Sequence, residues 1–294
     1  MDNIVAWNIR GLNWPNKQVD INIYIQMNKV GLIGLLETKV KVKNIDKVAA
    51  TTFPGWRWMH NFELDQRGRI WVAWNPRYYH LTMLHKTVQY IHCEVVQVRN
   101  NAHFFITFVY GLNHQHLRQE LWTGIQSIAQ HTHPWCVIGD FNAILYKEDR
   151  IGGDEVEMAD IREMRDFMET NELEELRSIG AYYSWTNKTV YSRIDRALVN
   201  VYWSEEFGFT QVRYDNHSLS DHAPLLIQFP TSPREKKRFQ FCDMWTKHQK
   251  FESIIRTSLP SAPYSMKKLK IFLDRIRPRL WALNRAHFQD LREQ

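Results

Sequence analysis

The stretch His217–Phe229, HSLSDHAPLLIQF, places an aspartate and a histidine just before an apolar run. The run LLIQF has the composition of a buried strand. Asp221 and His222 are therefore predicted to lie where a loop meets a strand. Because strands are rigid, their ends are good positions from which to aim catalytic groups, and the pair is a candidate for part of a functional site.

Polar side chains also stand at the ends of the other strand-like runs. Asn8 ends NIVAWN, Glu37 ends GLIGLLE, Tyr110 ends HFFITFVY, Asp140 and Asn142 end WCVIGDFN, and Asp195 lies in YSRIDRALV. Ordinary turn chemistry explains a single Asn or Asp after a strand. Its recurrence at so many strand ends favours one shared site.

The chain divides into two regions that differ in composition and in hydrophobic pattern. Residues 1–229 alternate short strand-like runs with helical patterns at Asn16–Val30, His116–Gln130 and Glu157–Glu169, which predicts an α/β or α+β layered domain. Residues 230–294 begin with the polar linker TSPREKKR and continue with apolar residues at helical spacing, among them Ile276 and Leu280. We expect a domain boundary near residue 230 and a helical extension beyond it.

Composition restricts the class of protein. The 294 residues are 44% hydrophobic, enough for a large core. Met1 is followed at once by a charged residue, and no apolar run approaches the roughly 20 residues that span a bilayer, so we expect an intracellular protein without signal peptide or membrane helix. The cysteines Cys93, Cys136 and Cys242 have no zinc-type spacing and are expected to be inert thiols.

The net charge of +6 is concentrated in the C-terminal region. Residues 231–294 contain 15 Lys and Arg against 6 Asp and Glu, whereas residues 1–230 contain 23 against 26. A basic region of this kind could bind DNA non-specifically through its phosphates, although a solvated helix face has the same composition. Its PREKKR segment resembles both a weak nuclear-import cluster and a charged linker. The candidate phosphate contacts are Arg234, Lys236, Lys237, Arg238, Lys267, Lys268, Lys270, Arg275, Arg277 and Arg279.

Hydrolysis of a phosphate ester would use the acidic members of the strand-end set. The reaction needs a cation at the phosphate, a base for water and donors for the developing charge. Carboxylates without Cys or clustered His ligands favour a hard ion such as Mg²⁺, and Glu37 and Asp221 suit it. Asp140 is the candidate base.

The neutral and basic members suit the phosphate itself. Asn8, Asn142 and Tyr110 can donate to phosphate oxygens. His222 can do the same if a carboxylate holds its ring and raises its pKa, and Asp195 is the candidate partner.

Six motifs, in order, resemble those of the endonuclease/exonuclease/phosphatase superfamily, which includes deoxyribonuclease I and the abasic-site endonucleases. They are WNIRGL, LLETK, VYG, GDFN, SRIDR and SDHAP, and they cover about residues 3–229. The resemblance implies a four-layered α/β sandwich with two facing mixed β-sheets and a site at one end. It also implies a nuclease that uses Mg²⁺, with Mn²⁺ as an alternative, and nucleic acid as partner.

The resemblance also implies roles for the motif residues. Glu37 would be the principal metal ligand with Asp221 assisting, and Asp140 would activate water. His222 would contact phosphate, oriented by Asp195. The other implied contacts of nucleophile or phosphate are Asn8, Tyr110 and Asn142.

One position departs from the abasic-site enzymes, whose first motif carries a metal-holding aspartate where this chain has Arg10. This difference disfavours abasic-site repair. Two alternatives remain for Arg10, contact with phosphate and exposure to solvent.

Further motifs distinguish between the subgroups of this superfamily. YSRIDR replaces the W-C-D-R type motif of inositol-phosphate phosphatases, which disfavours phosphoinositides. A second set of segments resembles the N-terminal endonuclease of plant LINE-type non-LTR retrotransposons, which continue into a reverse transcriptase. The set comprises WNIRGLN, LLETK, YSWTN, SRIDR and SDHAPL, followed by RFQFCDMWTKHQKF. The resemblance implies a DNA-nicking retroelement fragment or retroelement-derived gene product that leaves a 3′ hydroxyl and a 5′ phosphate. An inactive nucleic-acid-binding relic and another phosphoesterase, such as an RNA nuclease, are the alternatives.

Three further features have two interpretations each. NKTVY, residues 187–191, is either a surface hairpin, which in LINE-type enzymes helps to read the target, or a plain turn. Trp7, Trp56, Trp58, Trp71 and Trp74 can stack on bases, but their place beside strands favours the core. The histidines other than His222, such as His114, His116, His131 and His133, follow no metal motif, so nearly all are expected in exposed polar positions.

Overall fold

The computed structural model describes residues 2–65, 69–130, 132–229, 245–246 and 248–259, and ten separate positions from 265 to 283. The chain divides into two compact units, Met1–Thr231 and Ser232–Gln294. Cys242, His131 and most of the basic positions of the C-terminal region lie outside the described residues.

The first unit contains sixteen strands. They are β1 (Asn3–Asn8), β2 (Val30–Leu36), β3 (Arg57–His60), β4 (Ile70–Trp74), β5 (Tyr79–Lys86), β6 (Tyr90–Gln97), β7 (His103–Tyr110), β8 (Trp135–Asp140), β9 (Arg150–Ile151), β10 (Glu174–Glu175), β11 (Ser178–Gly180), β12 (Trp185–Thr186), β13 (Tyr191–Ser192), β14 (Asp195–Val199), β15 (Gln211–Tyr214) and β16 (Leu225–Gln228). Its helices are α1 (Pro15–Met27), α2 (Ile45–Thr52), α3 (Gln115–Ser127), α4 (Met158–Thr170) and α5 (Val201–Glu206), with 3₁₀ turns at Val42–Asn44 and Lys147–Asp149.

Two large mixed sheets form the scaffold. The seven-stranded sheet has the order β11-β15-β16-β1-β2-β4-β3, and the six-stranded sheet has the order β10-β14-β8-β7-β6-β5. The pairs β1–β2 and β7–β8 are parallel, whereas β16 and β14 run antiparallel to β1 and β8. A third, small sheet has the order β12-β13-β9.

Apolar side chains from both large sheets form the central core. Ile4 and Leu32 of the seven-stranded sheet belong to the same buried cluster as Ile106 and Phe108 of the six-stranded sheet. At Gly34 the sheets approach so closely that a Cβ atom would lie 2.1 Å from the Phe108 ring. Because their faces are covered on both sides, β1, β2 and β4 are almost continuously apolar.

Helices cover the outer faces of the sheets. Helix α1 begins with Pro15, whose fixed φ suits the first turn, and buries Ile21 and Ile25 in the cluster on the outer face of the seven-stranded sheet. Helix α3 buries Leu121 and Ile125 in the cluster on the outer face of the six-stranded sheet. The predicted four-layered α/β sandwich with two facing mixed sheets is therefore confirmed.

Sequence periodicity located the long central strands of both sheets and three of the helices. The three predicted helices correspond to α1, α3 and α4, displaced by a few residues. The strands β3 and β5 were not predicted. Strand β5 lies at a sheet edge with most of its side chains exposed, so it lacks the apolar run that marks a buried strand.

Several residue-level expectations can be compared with burial. Trp7, Trp71 and Trp74 are buried as expected, and Trp56 and Trp58 are partly buried against the same core. Cys93 and Cys136 are buried free thiols. His114, His116 and His133 are exposed, as expected of nearly all histidines, whereas His92 is only 1% exposed and is an exception. Within the described residues, no helix has the length and apolarity needed to cross a membrane.

The second unit contains the helix α6 (Phe251–Ser258). Trp245, Ile276, Leu280 and Leu283 form a buried apolar cluster of its own. The predicted helical extension is thus present, and Ile276 and Leu280, named above for their helical spacing, are both buried.

Candidate active site

All the sequence-predicted site residues lie at the same end of the two sheets, where strands end or begin. The parallel strands β1, β2, β7 and β8 end there, so that Asn8, Glu37, Tyr110 and Asp140 project from the same edge. The antiparallel strands β14 and β16 begin at that edge, which brings Asp195 opposite Asp140 and puts the Asp221–His222 pair beside β1. A cavity of about 300 Å³ opens between them. It is lined by six of the eight predicted residues, namely Asn8, Glu37, Tyr110, Asp140, Asn142 and His222.

His222 and Asp195 form a buried hydrogen-bonded pair. Nδ1 of His222 is 2.9 Å from Oδ2 of Asp195, and the two side chains are 5% and 1% exposed. The main chain of His222 is held by the Trp7 indole, which donates to its carbonyl, and by a β-bridge with Trp185. The ring orientation is therefore set by contacts from both sheets.

Asp140 faces the other edge of the same imidazole. Its Oδ2 is 3.8 Å from Nε2 of His222 and accepts a hydrogen bond from Nδ2 of Asn8 at 2.8 Å. Its Oδ1 accepts from the backbone N–H of Asn142 at 2.9 Å. Asn142 has a left-handed backbone with φ of 49°, and its side-chain amide donates to the Gly111 carbonyl at 2.7 Å.

Burial and charge shift the pKa values of this group. Burial alone would lower the pKa of His222, but the charges of Asp195 and Asp140 and the hydrogen bond to Asp195 raise it to about 9. Burial, followed by the charge of Asp195, raises the pKa of Asp140 to about 7. At neutral pH the imidazole is thus a cationic donor, and Asp140 is poised to exchange a proton.

Tyr110 completes the wall beside Asp140. Burial, together with the charges of Glu37 and Asp140, raises the pKa of its hydroxyl well above the ordinary range, so the phenol is a neutral donor. The guanidinium of Arg69 lies 5.1 Å from the centre of its ring and fixes the ring by a cation–π contact.

The two carboxylates that the sequence suggested for a metal converge on a guanidinium. Nη1 of Arg10 donates to Oδ2 of Asp221 at 2.5 Å, and Nε of Arg10 is 3.8 Å from Oε2 of Glu37. Burial would raise the pKa of Asp221, but the hydrogen bond from Arg10 and the charge of His222 hold it below its usual range. Arg10, predicted to meet either phosphate or solvent, is half exposed and instead bridges these carboxylates.

Two groups of side chains offer ligand atoms for a metal ion. Asp140, Asp195 and His222 have ligand atoms within 4.8 Å of one another, close enough to hold an ion. However, the raised pKa of His222 favours a proton rather than a metal on its ring. Glu37 and Asp221 already share one cation, the Arg10 guanidinium, and their oxygens are of the type that Mg²⁺ prefers. Glu37 and Asp221 are thus a second candidate pair of ligands beside that cluster.

Sequence reasoning missed several residues that support the site. The hydroxyl of Ser184 accepts hydrogen bonds from the backbone N–H groups of Ile194 and Asp195, and the indole of Trp185 donates to Asp221 at 3.0 Å. Both lie in YSWTN, a segment that entered the sequence analysis only through its resemblance to LINE-type endonucleases. Arg150 and Asn113 line the cavity without belonging to any of the six motifs.

A buried charge network lies behind Asp195. Arg196 is ion-paired with Asp149 and with Glu175, and Arg193 is also paired with Glu175 at 3.0 Å. Asp149 in turn accepts from the backbone N–H groups of Leu145 and Tyr146. The only sequence signal for this network was the two arginines that flank Asp195 in SRIDR.

The segment between Trp185 and Ser192 is a hairpin. Strands β12 and β13 pair antiparallel, and β13 also pairs with β9. The side chain of Asn187 accepts from the backbone N–H groups of Thr189 and Val190, which closes the turn. Of the two interpretations for NKTVY, the structure thus supports the surface hairpin, and Tyr191 on it is 41% exposed.

Known structures share this architecture. An AP endonuclease from Leishmania major is 13% identical, with a TM-score of 0.62 over 79% of this chain and 88% of that chain. The endonuclease domain of TRAS1, a telomere-specific non-LTR retrotransposon, is 13% identical, with a TM-score of 0.58 over 78% of this chain and 97% of that chain. A mannosyl-6-phosphatase from Bacteroides thetaiotaomicron is 13% identical, with a TM-score of 0.56 over 78% of this chain and 100% of that chain. At these identities the likeness establishes the fold alone.

Family membership follows from the sequence comparison. No curated protein matches the chain. The model of the Endonuclease/Exonuclease/phosphatase family, however, matches residues 5–222, a range that contains every residue of the candidate active site. The chain belongs to the endonuclease/exonuclease/phosphatase family.

Proposed function

We propose that this protein is a metal-dependent endonuclease that hydrolyses DNA phosphodiester bonds. The observation that carries the proposal is the buried His222–Asp195 pair, which directs a cationic imidazole at a cavity where Asp140 faces it at 3.8 Å. This arrangement places an acid and a base on one small space, as in-line attack of water on a phosphate requires.

The residues divide the work of hydrolysis. Asp140 takes the proton of the attacking water, and Asn8 and the Asn142 amide orient its carboxylate. His222 donates from Nε2 to a phosphate oxygen, and Asp195 accepts from Nδ1, which keeps the ring charged and oriented for this contact. The Tyr110 hydroxyl donates to a second phosphate oxygen.

Glu37 and Asp221 are the proposed ligands of a divalent ion, Mg²⁺ or Mn²⁺. Such an ion, when bound, neutralises charge on the phosphate and stabilises the leaving oxygen. The protein's own contribution is to hold the two carboxylates 15% and 26% exposed at the cavity rim, where one is fixed by Trp185.

A polynucleotide suits the surroundings of the cavity. Arg150 and Arg10 are among the lining residues of the cavity, and Tyr191 on the hairpin and Tyr146 in the loop after β8 are exposed aromatic side chains. Cationic and aromatic groups together are the usual means of holding a phosphate backbone and its bases. We further propose that the hairpin reads the target and that the chain is of the LINE retrotransposon type, acting on nuclear DNA.

Plasmid nicking tests this function. Purified protein is expected to convert supercoiled plasmid to open circles with Mg²⁺ and not with a chelator. His222→Ala should lower the rate roughly 10²-fold or more, because it removes a transition-state donor. The matched control is His80→Ala, which removes an exposed histidine from the edge strand β5 and should keep the wild-type rate.

The phosphatase fold of one structural relative supplies the competing function. A parallel assay with a sugar phosphate and with single-stranded RNA separates the alternatives. Hydrolysis of the sugar phosphate or RNA without nicking of plasmid would replace the DNA endonuclease by another phosphoesterase. Binding of DNA with no turnover of any substrate would support the inactive relic.

A further inference from the structure

Arg10 occupies the space between the two proposed metal ligands. Its side chain is 48% exposed, yet it is ion-paired with Asp221 at 2.5 Å and with Glu37 at 3.8 Å. A guanidinium that neutralises two carboxylates performs the electrostatic task that a divalent ion would perform there. The two cations therefore compete for the same oxygens.

The backbone around Arg10 keeps the arginine in reach of both carboxylates. Arg10 adopts a left-handed conformation with φ of 44°, and its N–H donates to the side chain of Asn8 at 3.1 Å. The next residue, Gly11, donates its N–H to the Glu37 carbonyl at 2.8 Å. The loops that carry Arg10 and Glu37 are thus tied together, so the pairing is built into the fold rather than made by a long side chain at random.

A second cation strengthens the effect at one of the carboxylates. Nζ of Lys39 lies 2.7 Å from Oε1 of Glu37. Lys39 contacts only that one carboxylate among the described ion pairs, whereas Arg10 contacts both Glu37 and Asp221. This difference provides an internal comparison between a bridging and a single contact.

We infer that Arg10 is an intrinsic competitor of the metal ion, which fills the site between Glu37 and Asp221 and has to leave both carboxylates before a divalent ion is bound by them. The inference rests on the proposed function for the identity of the metal ligands. It makes Arg10 a residue that sets metal affinity: the site loads only at a metal concentration high enough to displace the guanidinium.

Binding of Mn²⁺ without substrate tests this inference. The free ion is measured by electron paramagnetic resonance, so the readout needs no turnover. Arg10→Asn removes the charge with a residue that tolerates φ > 0, and it should tighten Mn²⁺ binding about tenfold, as expected for the loss of two partly exposed ion pairs. Lys39→Met should tighten binding by a smaller factor.

Two controls locate the effect. Arg150→Met removes another arginine of the same cavity, one that donates to Oγ of Ser192 at 3.2 Å, and should change Mn²⁺ affinity less than about twofold. Adding Glu37→Gln to Arg10→Asn should abolish the gain, since it removes one of the ligands. Arg10→Met is the second variant, and circular dichroism verifies the fold of each protein.

The outcomes separate the inference from the proposed function. Tighter Mn²⁺ binding in both Arg10 variants, dependent on Glu37, supports the competition even if plasmid is never nicked. Unchanged or weaker binding in the Arg10 variants overturns it, even if nicking is robust. An equal gain in Arg150→Met also overturns it, because the effect would then be one of overall charge.

Discussion

Replacing Asp195 by asparagine should shift the proton balance of the active site. In the wild type, burial opposes a charge on His222, but the carboxylates of Asp195 and Asp140 raise its pKa to about 9. Asparagine has the same shape, and the backbone of residue 195 keeps its bonds to the Ser184 and Tyr214 hydroxyls. The substitution therefore removes a charge and a hydrogen-bond acceptor while preserving the fold.

The size of the effect follows from the pKa of the imidazole. Without the charge and hydrogen bond of Asp195, burial opposes only the remaining charge of Asp140, so the pKa of His222 should fall to about its ordinary value of 6.5. At pH 7.5 the cationic fraction would then fall to about one tenth, which lowers the rate about tenfold by protonation alone. Loss of tautomer control adds to this, since the comparable change in a Ser-His-Asp triad costs about 10⁴-fold.

The pH–rate profile separates this mechanism from simple damage. Wild-type nicking should rise as Asp140 ionises near pH 7 and fall as His222 loses its proton near pH 9. Because the charge of Asp195 raises both pKa values, both limbs should move to lower pH in Asp195→Asn. A profile lowered uniformly, with both limbs at the wild-type pH, would refute the reasoning.

Three further changes have defined outcomes. Burial lowers the pKa of His92 to about 4, below its value near 6.5 in the unfolded state. As pH falls from about 6.5 to about 4, the unfolded state therefore binds the proton before the folded state does. About 3 kcal/mol of folding stability should be lost over this pH range. Urea unfolding at pH 7 and pH 4.5 measures this loss, which should shrink in His92→Gln. Gly34→Ala should destabilise the fold by about 1–3 kcal/mol in thermal unfolding, because its Cβ would meet the Phe108 ring, and Phe108→Leu should restore part of the loss. Truncation after Pro230 should weaken DNA binding while turnover of bound DNA stays unchanged. The slope of the logarithm of the binding constant against the logarithm of salt concentration should become shallower by about 0.9 per lost phosphate contact. An unchanged slope would assign the basic region to a solvated helix face.

The sequence predicted the strand ends well where a polar residue coincides with the end of an apolar run. Asn8, Glu37, Tyr110 and Asp140 each end an apolar run, so the strand pattern that reveals the sheets also marks the residues at their edge. Parallel pairing of β1 with β2 and of β7 with β8 places the ends within each sheet side by side, and the packing of the two sheets brings the two pairs together.

The sequence did not predict contacts that depend on three-dimensional pairing. Arg10 and Asp221 are separated by 211 positions, and no local pattern indicates that the arginine would choose a carboxylate over solvent. The expectation that nearly all histidines are exposed did not single out His92, which stacks on Phe105 of the cluster that also contains the buried side chains of α3. Such outcomes depend on packing between layers, which a single sequence does not encode in its spacing.

The two halves of the site depend on the scaffold in different ways. His222 lies just before β16 of the seven-stranded sheet, whereas Asp195 and Asp140 belong to strands of the six-stranded sheet, so the distances of 2.9 Å and 3.8 Å that govern proton transfer join segments of both sheets. The proposed metal half lies within one sheet, because the segments that carry Arg10, Glu37 and Asp221 adjoin β1, β2 and β16. A hydrogen bond weakens steeply with displacement, whereas the attraction between opposite charges falls gradually. Substitutions in the core between the sheets should therefore impair proton transfer while metal affinity persists.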